Sequence, residues 1–188
     1  MLVSNQQKRY AFHECGHALI ATLYIDDFIV EKITLDPQRN LTNIVANDWG
    51  GGIHIRPTET TKANPTLDQK ENILIIQLGG IIGQTIFRDG LSTFRQNIES
   101  YLNGLSFNSI PFDNRGCKDD IQFVIDYLRE QANSRNIDPL VYYKKIFSFA
   151  MQYLTNEKVW KMIETLAAIL LTINYSPFCR QIKKQLYL

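Results

Sequence analysis

The sequence predicts a mainly α protein, a helical bundle with a small β element inserted after the first helix. Three observations carry this. Most of the chain places apolar residues at the three-to-four-residue spacing of a helix face, in segments bounded by capping residues. Residues 28–57 interrupt that pattern with short β-branched stretches punctuated by glycine and proline. The 188 residues are 45% hydrophobic and 21% charged, which suits one globular domain with its own core. No internal repeat, low-complexity tract or linker divides them.

The elements follow in order. Ser4 or Asn5 caps a first helix that runs to about Tyr24, rich in apolar residues such as Ala11, Leu19, Ala21 and Leu23. Asp26 and Asp27 break it, and FIVEKITL (Phe28 to Leu35) reads as a strand closed by Asp36-Pro37. Leu41 to Asn47 fits neither template. WGGGIHIRP (Trp49 to Pro57) reads as a glycine turn and a short strand, with Pro57 at a strand end. Asn64-Pro65-Thr66 is loop and cap for a helix from Leu67 to Phe87. Gly79 and Gly80 sit inside that helix at a cost of about 1 kcal/mol each relative to alanine, which marks close packing against another backbone. Arg88 to Pro111 is a loop with one short helix around Ser92 to Leu102. Gly116 opens a helix through about Gln131, with Ile121, Val124, Ile125 and Leu128 on one face. Asp138-Pro139 caps a helix from Leu140 to Leu154, Glu157 to Ile173 forms the next, and Pro177 starts a short last one.

Composition excludes several function classes. A formal net charge of +1 gives no electrostatic case for nucleic acid or an anionic membrane as partner. Cys15, Cys117 and Cys179 are odd in number and widely spaced, which fits neither a disulfide framework nor a zinc ribbon and points to a reducing, cytoplasmic setting. The first residues, MLVSNQQKRY, lack the apolar core of a signal peptide. The longest apolar runs, Ile73 to Gly83 and Leu166 to Ile173, fall short of the ~18 residues of a membrane span and read as core helices.

The chemistry sits in the first helix, in YAFHECGHALIA (Tyr10 to Ala21). Residues four apart on a helix share a face, so His13 and His17 can aim two imidazoles at one metal ion. Glu14 flanks that face, where its carboxylate can reach a water on the metal without ligating the metal itself. Zinc peptidases use His-Glu-x-x-His for this division of labour. A third ligand is required. A third histidine six residues after His17 is ruled out, because that position is Leu23. Glu31 is the nearest carboxylate but lies in a strand. His54 is a further candidate, as are the distant carboxylates Asp119 and Asp120 at a helix start.

AFHECGHALIA also resembles the zinc helix of FtsH-type zinc proteases, the membrane-anchored AAA+ proteases, whose stretch reads A-Y-H-E-A-G-H-A-L-V-A. EKITLDP and WGGGIHI are similar to that family's next two strands, and IIQLGGIIGQTIF to its L-G-G-R-A-A-E-E helix. RGCKDDIQFVIDYL resembles T-G-A-S-N-D-L-x-x-A-T, whose aspartate is the third zinc ligand, which implies Asp120 rather than Asp119. YKKIFSFAMQYLTNEKVWKMIETLAAILL resembles the closing helical pair in pattern. The resemblance covers nearly the whole chain and implies the FtsH peptidase-domain fold. It also implies a zinc ion (Zn2+) held by His13, His17 and Asp120, with Glu14 as general base. The strand over Gly51, Gly52, Ile53, His54 and Ile55 would offer its edge to an extended peptide. There is no G-x-x-x-x-G-K-[ST] loop, so no ATPase is expected. The expectation is a peptidase module acting alone on flexible or unfolded polypeptides, unless an AAA+ or FtsH-like partner supplies unfolding.

The sequence departs from the family at telling places. The arginine after Gly-Gly is Ile81, and the following glutamate aligns with Gln84, which removes a charge that can tune the site from behind the ligands. Asp119 replaces an asparagine. Cys15 and Cys117 replace alanines beside ligand residues, either as two small packed side chains or as a redox pair near the metal. Ile81 and Gln84 favour an alternative: a catalytically weak or inactive binding or regulatory protein that keeps the fold and the metal.

Overall fold

The computed structural model describes residues 3–35, 52–58, 65–105 and 118–175. Among these lie seven α-helices and one antiparallel pair of strands, so the mainly α architecture with a β insertion after the first helix is what the chain adopts. Helix α1 (Asn5–Ala21) starts at Ser4, whose Oγ accepts from the Gln7 amide at 3.2 Å while Gln7 Oε1 accepts from the Ser4 amide at 2.7 Å. This reciprocal cap contributes about 1 kcal/mol. A 3₁₀ turn (Thr22–Tyr24) leads through Asp26 and Asp27 into β1 (Phe28–Thr34), which pairs with β2 (Gly52–Pro57) from Phe28↔Pro57 to Thr34↔Gly52, with a bulge between Val30 and Lys32.

Asp27 does more than break the helix pattern. Its carboxylate accepts from Gln69 Nε2 at 2.8 Å and Asn72 Nδ2 at 3.0 Å, tying the β element to helix α2 (Leu67–Asp89). Thr66 caps α2 by the same reciprocal device, with Gln69. Gly90, at φ 81°, ends it two residues later than the apolar pattern suggested. The single short helix expected around Ser92 to Leu102 is two, α3 (Leu91–Gln96) and α4 (Ile98–Asn103), because the chain leaves helical geometry at Asn97. Helix α5 (Lys118–Arg135) extends past Gln131 because Ala132 is fully buried there; the left-handed Asn136, φ 53°, ends it. Asp138 caps α6 (Pro139–Leu154), and α7 (Glu157–Tyr175) follows. The start of α5 at Gly116, the stretch Leu41 to Asn47 and the helix after Pro177 lie outside the described residues.

The core is organised on α1. Helix α2 crosses it so closely that a Cβ on Gly79 would fall 2.5 Å from the Gly16 carbonyl oxygen, a Cβ on Gly16 would overlap the Gly79 carbonyl, and one on Gly83 would fall 2.8 Å from the Phe12 carbonyl oxygen. The close backbone approach expected from Gly79-Gly80 is therefore real, and its partner is α1. On another side of α1, α7 buries Trp160, Ile163, Ala167 and Leu170. Phe12 stacks on both Phe87 (4.5 Å between centroids) and Trp160 (5.4 Å), joining the three helices. Helices α5 and α6 also pack against α2. No described helix is long and apolar enough to cross a membrane.

Candidate metal centre

The i, i+4 spacing on α1 brings Nε2 of His13 and Nε2 of His17 to 2.9 Å, with the rings edge-on. Asp120, in the first turns of α5, completes the group. Its Oδ2 lies 2.9 Å from His13 Nε2 and 4.0 Å from His17 Nε2. Among the described residues, this is the one cluster of three or more His, Cys, Asp or Glu side chains able to hold a metal ion, with all donor atoms within 4.8 Å of one another. Bonds of about 2.0–2.1 Å in a tetrahedron place ligand atoms roughly 3.3 Å apart, and the three observed separations bracket that value.

The chemistry of the donors fits a cation as well. His17 Nδ1 lies 2.7 Å from the carbonyl oxygen of Ile76. A carbonyl only accepts, so Nδ1 carries the hydrogen and Nε2 presents its lone pair to the centre. Two ring nitrogens and a carboxylate oxygen converging in a largely buried place need a hydrogen or a metal ion between them. The directions of the pKa shifts fit this. Burial, together with the neighbouring His13, lowers His17 to about 4 and keeps it neutral. Burial also acts to lower His13, but the bond to Asp120 and the charges of Glu14 and Asp120 outweigh it and raise it above its ordinary value. Asp120 is held low: burial works against this, but the His13 bond and the charges of both imidazoles prevail.

Glu14 is 5% exposed and stands outside the ligand group. Burial pushes its carboxyl up to about 7; His13 opposes the shift and Asp120 adds to it. A carboxylate with a pKa near neutrality is suited to exchanging protons. Glycine shapes the other wall. A Cβ on Gly80 would sit on the His17 ring, 2.6 Å from Cε1 and 2.7 Å from Cδ2 and closer still to Nε2. Only a residue without a side chain leaves the imidazole in its seat.

The remaining sequence-derived residues divide. His54 and Glu31, both weighed as third ligands, bind each other on the exposed face of the sheet at 2.7 Å, with Arg56 on the same carboxylate at 2.6 Å; the His54 side chain is 72% exposed. Neither reaches His13 and His17 to join the group. Gly52, Ile53 and Ile55 lie in β2, which among the described residues pairs with β1 alone; Gly51 lies outside them. Cys15 is fully buried in the core, and burial pushes its thiol up to about 12, as for a packed side chain rather than a reactive one. Cys117 and the side chain of Asp119 are outside the described residues. Ile81 is fully buried, so an arginine there would carry its charge into the core. Gln84 is also fully buried, and its side chain lies close enough to His13 to help raise it. Two features were missed: the Ile76 carbonyl, which leaves no mark in a sequence, and the seat at Gly80, which the glycine pair signalled only as close packing. Comparison with protein-family models, curated proteins and solved structures gives no match to this chain, so its function is argued from this geometry.

Proposed function

We propose that the chain is a zinc-dependent metallopeptidase of the FtsH type, cutting peptide bonds in flexible or unfolded polypeptides without ATP. The observation that carries this is the convergence of Asp120 from α5 on His13 and His17 of α1, with Glu14 beside them. His13, His17 and Asp120 would hold the ion. Zinc in such a site supplies Lewis acidity toward a scissile carbonyl and makes water a nucleophile near neutral pH. Glu14 would take the proton of the attacking water and pass it to the leaving amine. The edge of β2 that is unpaired among the described residues would align an extended peptide by backbone pairing, giving affinity with little side-chain selectivity. An AAA+ or FtsH-like partner would extend the substrates to folded proteins.

The test joins two measurements. Protein prepared without chelator is analysed for zinc, and cleavage of an unfolded labelled polypeptide is followed for wild type and Glu14→Gln. One zinc per chain in both, with cleavage lost at least about a hundredfold in the variant, supports the reading. Equal cleavage by the variant refutes it. A second reading, a binding or regulatory protein that keeps the ion, is favoured by one observation: the buried group behind His13 is the neutral amide of Gln84. Zinc present and the polypeptide bound without cleavage would select it.

A further inference from the structure

We infer that Gln84 is the positioning residue for His13, and that as an amide rather than a carboxylate it keeps the metal-free centre stable while weakening its hold on the ion. This rests on the metal reading above. The helix register gives the placement. Phe12 meets Gly83, Gly16 meets Gly79 and His17 meets Gly80, so α1 and α2 run antiparallel. One turn back from His17 is His13, and one turn on from Gly80 is Gln84. The two imidazoles therefore face α2 one turn apart, His17 over the Ile76 carbonyl and Gly80, His13 toward Gln84.

Chemistry agrees with placement. Nε2 of His13 is committed to the centre, 2.9 Å from both His17 Nε2 and Asp120 Oδ2. Its other nitrogen, Nδ1, is buried and has no partner at ordinary hydrogen-bond geometry. The Gln84 side chain, with no exposed surface, lies within interaction range of His13. Its amide oxygen can accept from a ring N–H. Each imidazole thus has its own neutral acceptor on α2, a backbone carbonyl for one and an amide for the other. Charge explains why an amide is suitable. Glu14 and Asp120 bring two carboxylates, which one divalent cation balances. A third carboxylate at position 84 would be fully buried and would leave the centre net negative, severely so without metal.

The test measures zinc affinity by competition with a chromophoric chelator, and thermal unfolding of metal-free protein, for wild type, Gln84→Glu and Gln84→Met. Gln84→Glu should bind zinc about tenfold more tightly and unfold at lower temperature when metal-free. Gln84→Met should bind about tenfold more weakly with its helical circular dichroism unchanged. Opposite signs for affinity and metal-free stability in Gln84→Glu are not what a residue that only fills space produces. A third readout is the imidazole N–H proton resonance of zinc-loaded protein. Wild type should show slowly exchanging N–H signals for both His13 and His17, and Gln84→Met should lose the His13 signal alone. Equal zinc affinity in all three proteins, or a His13 signal that survives Gln84→Met, overturns the assignment. If wild type takes up no zinc, the metal reading fails on its own, and Gln84 is judged by the N–H signal of protonated His13 in metal-free protein, which Gln84→Met must abolish.

Discussion

Two histidine–carboxylate pairs in this molecule have nearly the same length and entirely different character. On the sheet, His54 meets Glu31 at 2.7 Å with Arg56 alongside, in an exposed cluster. Between α1 and α5, His13 meets Asp120 at 2.9 Å, with side chains 5% and 30% exposed. Water screens the first pair, so it holds little energy, and its effect is confined to Glu31, which Arg56 and His54 hold below its ordinary value. The second is dry on the helix side, backed by a glycine seam and joined by a second imidazole. There the same residue types push one another's pKa values apart and form a group that could hold a metal ion. The comparison teaches that residue identity and pair distance do not define a site. Convergence of a third donor, and a wall that fixes the rings, do.

The seam is where the comparison breaks most readily. Gly16→Ala would drive a Cβ into the Gly79 carbonyl, and neither helix backbone can give way locally. The expected loss is about 3 kcal/mol of stability, read by denaturant unfolding, together with the metal centre that the seam supports. Gly80→Ala is the sharper variant, because the three atoms nearest its Cβ all belong to the His17 ring. It should lower zinc affinity at least about tenfold and stability by less than Gly16→Ala. Asp120→Ala should leave the fold intact and remove most of the zinc, since two ligands on one helix do not make a site. Retention of one zinc per chain in that variant would show that α5 is not part of the centre.

How much of this was visible beforehand depends on what each feature is made of. The caps at Ser4, Thr66 and Asp138 and the helices behind them are local events, and the sequence states them. The His13–His17 pair is local too, set by helical spacing. Asp120 is different. It lies far along the chain, and nothing in spacing chose it over Glu31 or His54; only the resemblance to a protease motif did, and the geometry agrees. Glu31 and His54 were eliminated by what they touch, which is tertiary information. The break at Asn97 and the extension of α5 past Gln131 were hidden for the same reason: burial of Ala132 and the packing around α3 and α4 override pattern at element ends.

Acid separates the two pairs in another way. Zinc binding at the buried centre must displace the proton that His13 retains above its ordinary range. Its folded pKa is raised, so protonated His13 stabilises the metal-free fold at low pH, and that contribution is lost as pH rises through the folded value. Zinc affinity should therefore climb as pH rises above about 6.5, the ordinary histidine value, as measured by chelator competition at each pH. An affinity flat above that value would mean that no proton is held at the centre.

The smallest effect is the control that gives the others meaning. His54→Ala removes an exposed side chain whose partner, Glu31, keeps Arg56 at 2.6 Å. Stability should change by less than about 0.5 kcal/mol, and zinc stoichiometry and its pH dependence should match wild type. If His54→Ala instead lost zinc, the sheet cluster would have to reach the centre in solution, and burial would no longer distinguish the two pairs. If it kept zinc but lost peptide affinity, the sheet's role would be the one proposed for β2, aligning substrate beside a centre it does not ligate.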